Sequence, residues 1–189
     1  ANYESRMRTA WETKQYSVPN YLTRYLMADD NNGDLADGTP NWYDICDAFA
    51  LHNVNCPAIT KFVQFTHTAL DDQLSTVTPY TVTSLIQSVN AGTLDASSLK
   101  VYYSTDLGQN WSFAAMTATG NPNEYQGAIP AQSCGSLVWY YIYAQTLTGI
   151  FGTEPARAPE KNVHKFMTGP NLTDLNDTFE SNLGWTVGG

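Results

Sequence analysis

SLVWYYIYAQT, residues 136–146, alternates two sets of side chains, and its reading decides the fold. Val138, Tyr140, Ile142 and Ala144 fall on one side, Trp139, Tyr141 and Tyr143 on the other. A period of two belongs to an extended strand, whose successive side chains point to opposite faces. Aromatic residues on both faces predict a central strand, covered on each side. The same alternation spreads outward. In PYTVTSLIQSV, residues 79–89, Tyr80, Val82, Ser84 and Ile86 share a face. LKVYYS places Leu99, Val101 and Tyr103 together, NEYQGAIP places Tyr125, Gly127 and Ile129 together, and HKFMT contributes Phe166. Six or seven short strands separated by Gly, Pro and Asn turns predict an immunoglobulin- or fibronectin III-like antiparallel β-sandwich over residues 57–169. No self-similarity at repeat length argues for a propeller or solenoid.

Upstream the period changes to helical. In SVPNYLTRYLMADD, residues 17–30, Ser17 can cap, Pro19 sits in the first turn, and Tyr21, Leu22, Tyr25 and Leu26 make one apolar face. A second helix is expected to start with Thr39 as cap and Pro40 at its first position. It buries Trp42, Ile45, Cys46, Phe49 and Leu51. Residues 1–56 thus read as a helical segment whose two amphipathic helices need a larger body to cover them. The final DTFESNLGWTVGG, with Phe179, Trp185 and Val187, reads as the first strand of a further β domain over residues 170–189. Both ends read as those of a piece cut from a longer chain.

Composition narrows the function. The 189 residues carry 9 Lys+Arg against 18 Asp+Glu, a net charge of −9, which disfavours nucleic acid and anionic membrane surfaces. Charged residues are only 14% of the chain while Thr and Tyr are plentiful, which suggests an exported β protein. No apolar run reaches the ~20 residues of a membrane helix, so no membrane insertion is expected. No basic stretch precedes an apolar one at the start, so a targeting sequence would lie upstream of Ala1. Cys46 and Cys56 lie close enough along the chain to close a disulfide in an oxidising compartment, leaving Cys134 odd.

The conspicuous polar stretch is DDNNGDLADGTPNWYDICD, residues 29–47, with six Asp and no Lys or Arg between Arg24 and Lys61. Asp29, Asp30, Asn32, Asp34 and Asp37 supply hard oxygens on a Gly-rich loop, a ligand type that suits Ca²⁺. The spacing is not that of an EF-hand, and a solvated acidic lead-in to the following helix is the competing reading. STDLGQNW, residues 104–111, fits the S-x-D-x-G-x-x-W hairpin signature, a structural turn in which Ser104 and Asp106 bond the backbone and Trp111 packs beneath. His52, His67 and His164 stand far apart with no HExxH, so no zinc site and no catalytic residue are expected in this chain. His164 is expected to replace an aromatic at a strand start, and Asp71 and Asp72 to be solvated in a linker. Asn110, Asn171 and Asn176 stand in N-x-S/T sequons. Trp139, Tyr141 and Tyr143 make a face suited either to glycan stacking or to packing against a neighbouring domain.

LMADDNNGDLADGTPNWYDICDAFALHNVNCP, residues 26–57, resembles the end of the peptidase-like domain in large secreted bacterial metallopeptidases of the thermolysin/fungalysin kind. There an acidic loop and a GTP-type helix cap lead into a last helix ending as Ala48, Phe49 and Val54 do here. The stretch from Tyr80 to Phe166 resembles the sandwich that follows such domains, and DTFESNLGWTVGG looks like the opening of a jelly-roll-like accessory domain. The resemblance implies a secreted or cell-surface, Ca²⁺-stabilised multidomain parent. This chain would be its non-catalytic accessory region, with neighbouring domains, and a protein or glycan substrate, as partners. A structural assembly protein with a degenerate peptidase-like part and a glycan-binding sandwich are the alternatives.

Overall fold

The computed structural model describes residues 18–169. Two helices come first, α1 (Val18–Asp29) and α2 (Trp42–Ala50). Nine strands follow: β1 (Phe62–His67), β2 (Tyr80–Val89), β3 (Lys100–Ser104), β4 (Ser112–Ala115), β5 (Thr117–Ala118), β6 (Glu124–Ile129), β7 (Leu137–Gln145), β8 (Phe151–Glu154) and β9 (His164–Met167). They form two antiparallel sheets, ordered β1-β2-β6-β5 and β4-β3-β7-β8, with β9 also pairing β7. This is the strand order of an immunoglobulin-type β-sandwich, with β4 as an added edge strand.

Contacts group the chain into two compact units. Among the described residues one holds 18–65 together with 86–98 and 144–152, the other 66–85, 99–143 and 153–169. The second unit owns the core that the alternation predicts. Tyr80, Val82 and Ser84 of β2, Leu99, Val101, Ile129, then Val138, Tyr140 and Ile142 of β7, and Phe166 of β9 are all buried. Tyr80 and Phe166 meet edge to face at 5.1 Å. At one edge of this unit the chain changes sheets. β4 pairs β3 with Phe113 opposite Tyr102, and after Met116 the chain continues as β5, with Thr117 opposite Gln126 of β6. Gly127 makes room for that crossing, because a Cβ there would stand 2.9 Å from Met116 and 3.0 Å from Val101.

The first unit holds the helical hairpin. Leu22, Leu26 and Trp42 are buried, with Leu35, Ile45, Cys46, Phe49, Val54 and Ile59 packed around them. Tyr21 and Tyr25, expected on the same face, stand exposed instead. Each lies one residue, about 100° around the axis, from the Leu22/Leu26 row. Leu51 is 84% exposed, because α2 ends at Ala50 and the chain leaves the helical face there. Cys46 and Cys56 are joined as a disulfide. The carbonyl of Ala36 accepts both Thr60 N–H at 2.8 Å and Lys61 N–H at 2.9 Å, tying the loop between the helices to the run into β1. In the same unit Gly152 of β8 lies against β1, and a Cβ there would meet Phe65 at 2.9 Å. The expectations for Ser17 and for a strand in 170–189 fall outside the described residues. None of the described helices is long and apolar enough to cross a membrane.

Candidate functional site

The acidic loop folds around its own side chains. Asp29, at the end of α1, accepts the Thr39 hydroxyl at 2.6 Å, Asn41 N–H at 2.7 Å and the Asn41 amide at 2.6 Å. Thr39 is therefore not the cap of α2. The helix starts at Trp42, whose N–H bonds the Thr39 carbonyl at 3.0 Å, and Asp29 instead anchors Asn41, the residue just before it. Asp30 accepts Asn32 N–H at 3.1 Å, and Asn32 accepts Asp34 N–H at 2.8 Å while donating its amide to Asp37 at 2.8 Å. Asp34 accepts Ala36 N–H at 3.0 Å and is paired with Lys61. The hydrogen bonds from Thr39 and Asn41 hold Asp29 below the usual carboxylate range, and that from Lys61 does the same for Asp34. One oxygen of the set, Oδ1 of Asp37, is buried without a partner. As folded, these residues fit Ca²⁺ poorly, since a cationic ammonium already occupies Asp34. Among the described residues no three His, Cys, Asp or Glu side chains converge as a metal centre requires.

The 104–111 hairpin forms the expected turn. Ser104 accepts Gly108 N–H at 3.0 Å and donates to Asp106 at 2.6 Å; Asp106 accepts Asn110 N–H at 3.0 Å and its side-chain amide at 2.7 Å. These bonds, Ser104's first, lower the Asp106 carboxyl to about 2. Gly108, at φ +82°, lies against both Trp111 and Trp139, where a Cβ would come within 3.3 Å of each. Beyond the turn stretches an aromatic face. Tyr102 and Tyr141 stack at 4.9 Å and 6°, Trp111 meets Tyr141 edge-on at 4.9 Å, and Phe113 packs on Tyr102 at 5.7 Å. Lys100 stands over Phe113 and Lys165 over Trp139, each 4.5 Å from the ring centre. Trp139 is half-buried, and its ring face carries an ammonium rather than open solvent.

Sequence reasoning missed the most coupled group of side chains. β1, β7, β8 and β9 bring His67, Tyr140, Glu154 and His164 together in the second unit. His67 Nδ1 faces the Thr83 carbonyl at 2.7 Å, an acceptor only, so Nδ1 carries the proton. In the neutral ring Nε2 then accepts from the Tyr140 hydroxyl at 2.9 Å, and that hydroxyl accepts Leu70 N–H at 2.8 Å. Burial raises the Tyr140 phenol to about 12, so it stays a donor throughout the physiological range. The His164 ring lies 5.1 Å from that of His67 and 5.0 Å from Tyr140. Its Nε2 is buried without a hydrogen-bond partner, 3.4 Å from Glu154 Oε1. Burial holds His164 below the usual histidine range, with His67 adding to the effect, and burial raises Glu154. Beside His67 lies a shallow cavity of about 300 Å³ lined by Thr66, Thr68, Leu70, Thr81, Thr83 and Glu124.

One sequence expectation changes here, while His164, at the start of β9, packs its ring on those of His67 and Tyr140 as a substitute aromatic does. The linker is not simply solvated: Asp72 accepts Met167 N–H at 2.7 Å, and Gln73 pairs with Thr168, adding the linker to β9. His52 remains at the exposed end of α2, and Cys134 is free and exposed. Chemically the cluster can hold and share a proton, yet its hydroxyl and imidazole nitrogens are committed to one another and to backbone. The chain matches no protein-family model and no curated protein.

Proposed function

We propose that this chain is a non-catalytic accessory region of a secreted, multidomain, metallopeptidase-like protein, with its sandwich acting as spacer, stabiliser or substrate-positioning module. The observation that carries this reading is the helical hairpin. Its core is three buried residues, it is stapled by Cys46–Cys56, and it leaves Tyr25, Met27 and Leu51 59%, 63% and 84% exposed. Disulfides belong chiefly to oxidising compartments, which supports export. Apolar side chains on so small a hairpin suit the end of a larger domain whose body covers them. The polar groups of the second unit support the same reading, since they join strands rather than confront a cleft with a nucleophile and its base.

The test is hydrolysis of casein and of fluorogenic peptides by the purified chain, with and without added Zn²⁺. No turnover is expected. Turnover that disappears in His67→Ala would overturn the accessory reading and make the histidine cluster an active site.

Calcium is the second reading of the acidic loop. The partnerless Asp37 Oδ1 supports it and the Lys61–Asp34 pair opposes it. A rise in the unfolding midpoint with Ca²⁺, reversed by EGTA and absent in Asp30→Ala with Asp34→Ala, is what a ligand bound only to the folded state produces.

A further inference from the structure

The outer face of the β4-β3-β7-β9 strands carries charge of the wrong sign for this chain. Acidic residues outnumber basic ones two to one overall, 18 to 9. Yet the outward positions of these strands are Lys100 and Tyr102, Phe113 and Ala115, Trp139, Tyr141 and Tyr143, Lys165 and Met167, without one carboxylate. Neither Lys100 nor Lys165 forms an ion pair with a described residue; each ammonium rests on a ring instead. A cation–π contact at a surface is worth roughly 0.5–1 kcal/mol and leaves the charge free to take a carboxylate. Two cations on a single face, neither in an ion pair with a described residue, ask for anionic oxygens.

The rings decide between kinds of partner. Sugars stack on open ring faces, and here one face of each of four rings is already taken. Tyr102 and Tyr141 cover each other, Phe113 lies under Lys100, and Trp139 lies under Lys165.

We propose that this face is the docking surface for an acidic, extended segment of a neighbouring polypeptide, with carboxylates on Lys100 and Lys165. The proposal rests on the accessory-module reading and names that module's partner. Register sets the spacing. Lys100 stands opposite Tyr143 on one side of β7, and Lys165 opposite Trp139 on the other. Four residues along β7 and two strand gaps across it separate the two Lys Cα atoms by about 16 Å. An extended segment spans that distance in about five residues, so its two carboxylates lie four to six positions apart.

The experiment uses the whole 189-residue chain and a ten-residue Thr/Val peptide with Glu at positions 3 and 8, against its Gln counterpart. Binding is followed by the indole ¹⁵N–¹H signals of Trp139 and Trp111. The Glu peptide is expected to shift Trp139 at low-millimolar concentration and to weaken as salt is raised. Lys100→Gln and Lys165→Gln should each weaken it by about fivefold, the upper range for an exposed ion pair. No shift by about 5 mM peptide, a weak but measurable affinity range, would overturn the proposal. So would equal binding of the Gln peptide, tighter binding of oligogalacturonate (an anionic glycan), or binding of a neutral cello-oligosaccharide that survives both Lys changes. None of these outcomes touches the hydrolysis assay, so the docking surface can fail while the accessory reading stands.

Discussion

The acidic loop of the first unit and the histidine cluster of the second are both dense in polar side chains, but they are built on opposite plans. In the loop, Asp30, Asn32, Asp34 and Asp37 bond groups two to five positions away, and of these four only Asp34 reaches further, to Lys61. In the cluster, His67 reaches Tyr140 across 73 positions and Leu70 reaches it across 70. The loop is conspicuous in the sequence and mostly holds itself. The cluster is inconspicuous and holds four strands. Density of charge along a chain therefore says little about coupling in space. What couples residues is strand register, here Tyr140 opposite His164.

The contrast can be attacked at its strongest point first. If the first unit depends on a covalent staple where the second depends on packing, Cys46→Ser with Cys56→Ser should cost the hairpin about 3 kcal/mol, from the entropy of closing so short a loop. Urea unfolding followed by helical circular dichroism measures it, and a loss under about 1 kcal/mol would mean that Leu22, Leu26 and Trp42 suffice. Next comes the hydroxyl at the centre of the cluster. Tyr140→Phe leaves His67 Nε2 and Leu70 N–H without their partner and should cost about 2 kcal/mol. A cost near zero would reduce the cluster to packed rings and erase the comparison.

A smaller effect separates the loop's members from one another. Asp29→Ala removes three hydrogen bonds, one of them to the start of α2, and should lower the unfolding midpoint measurably. Asp30→Ala removes one exposed bond and should leave it nearly unchanged. Equal losses, each tied to Ca²⁺, would instead mark the loop as a metal site.

The finest test concerns pH. His164 lies below its ordinary value when folded, so its contribution is present above about 6.5 and is lost as pH falls through the folded value. Glu154 is raised, so its contribution is present below about 4.5 and is lost as pH rises. Between these limits the two slopes oppose each other. Glu154→Gln removes one of them, and its stability should fall faster than the parent's between pH 6.5 and 4.5, read from thermal midpoints. Parallel profiles would show that the pair is not coupled to folding.

How much could be read beforehand follows the same division. β2 and β7 were plain, because alternation over Tyr80–Ile86 and Val138–Ala144 maps directly onto burial. The helices were plain in existence and less so in their faces: Leu51 and Tyr25 are apolar, but the helix end and the angle around its axis decide what is buried. The turn at Ser104–Trp111 was readable because its bonds run between near neighbours. Asp72 on Met167, and His67 on Tyr140 beside His164 and Glu154, were not. Each requires knowing which strand lies beside which, information that no single segment contains.

The crossing of the chain from β4 to β5 has a consequence for company as well as for shape. A sheet that ends in a free strand offers a row of unpaired amides and carbonyls on which another protein can add a strand. Here β4 stops after four residues, and the next strand pairs with the other sheet. At the first unit's margin β8 runs against β1 through a glycine. A module finished in this way can be strung between neighbours at high local concentration without zipping onto them, leaving side chains rather than backbone to choose what it touches.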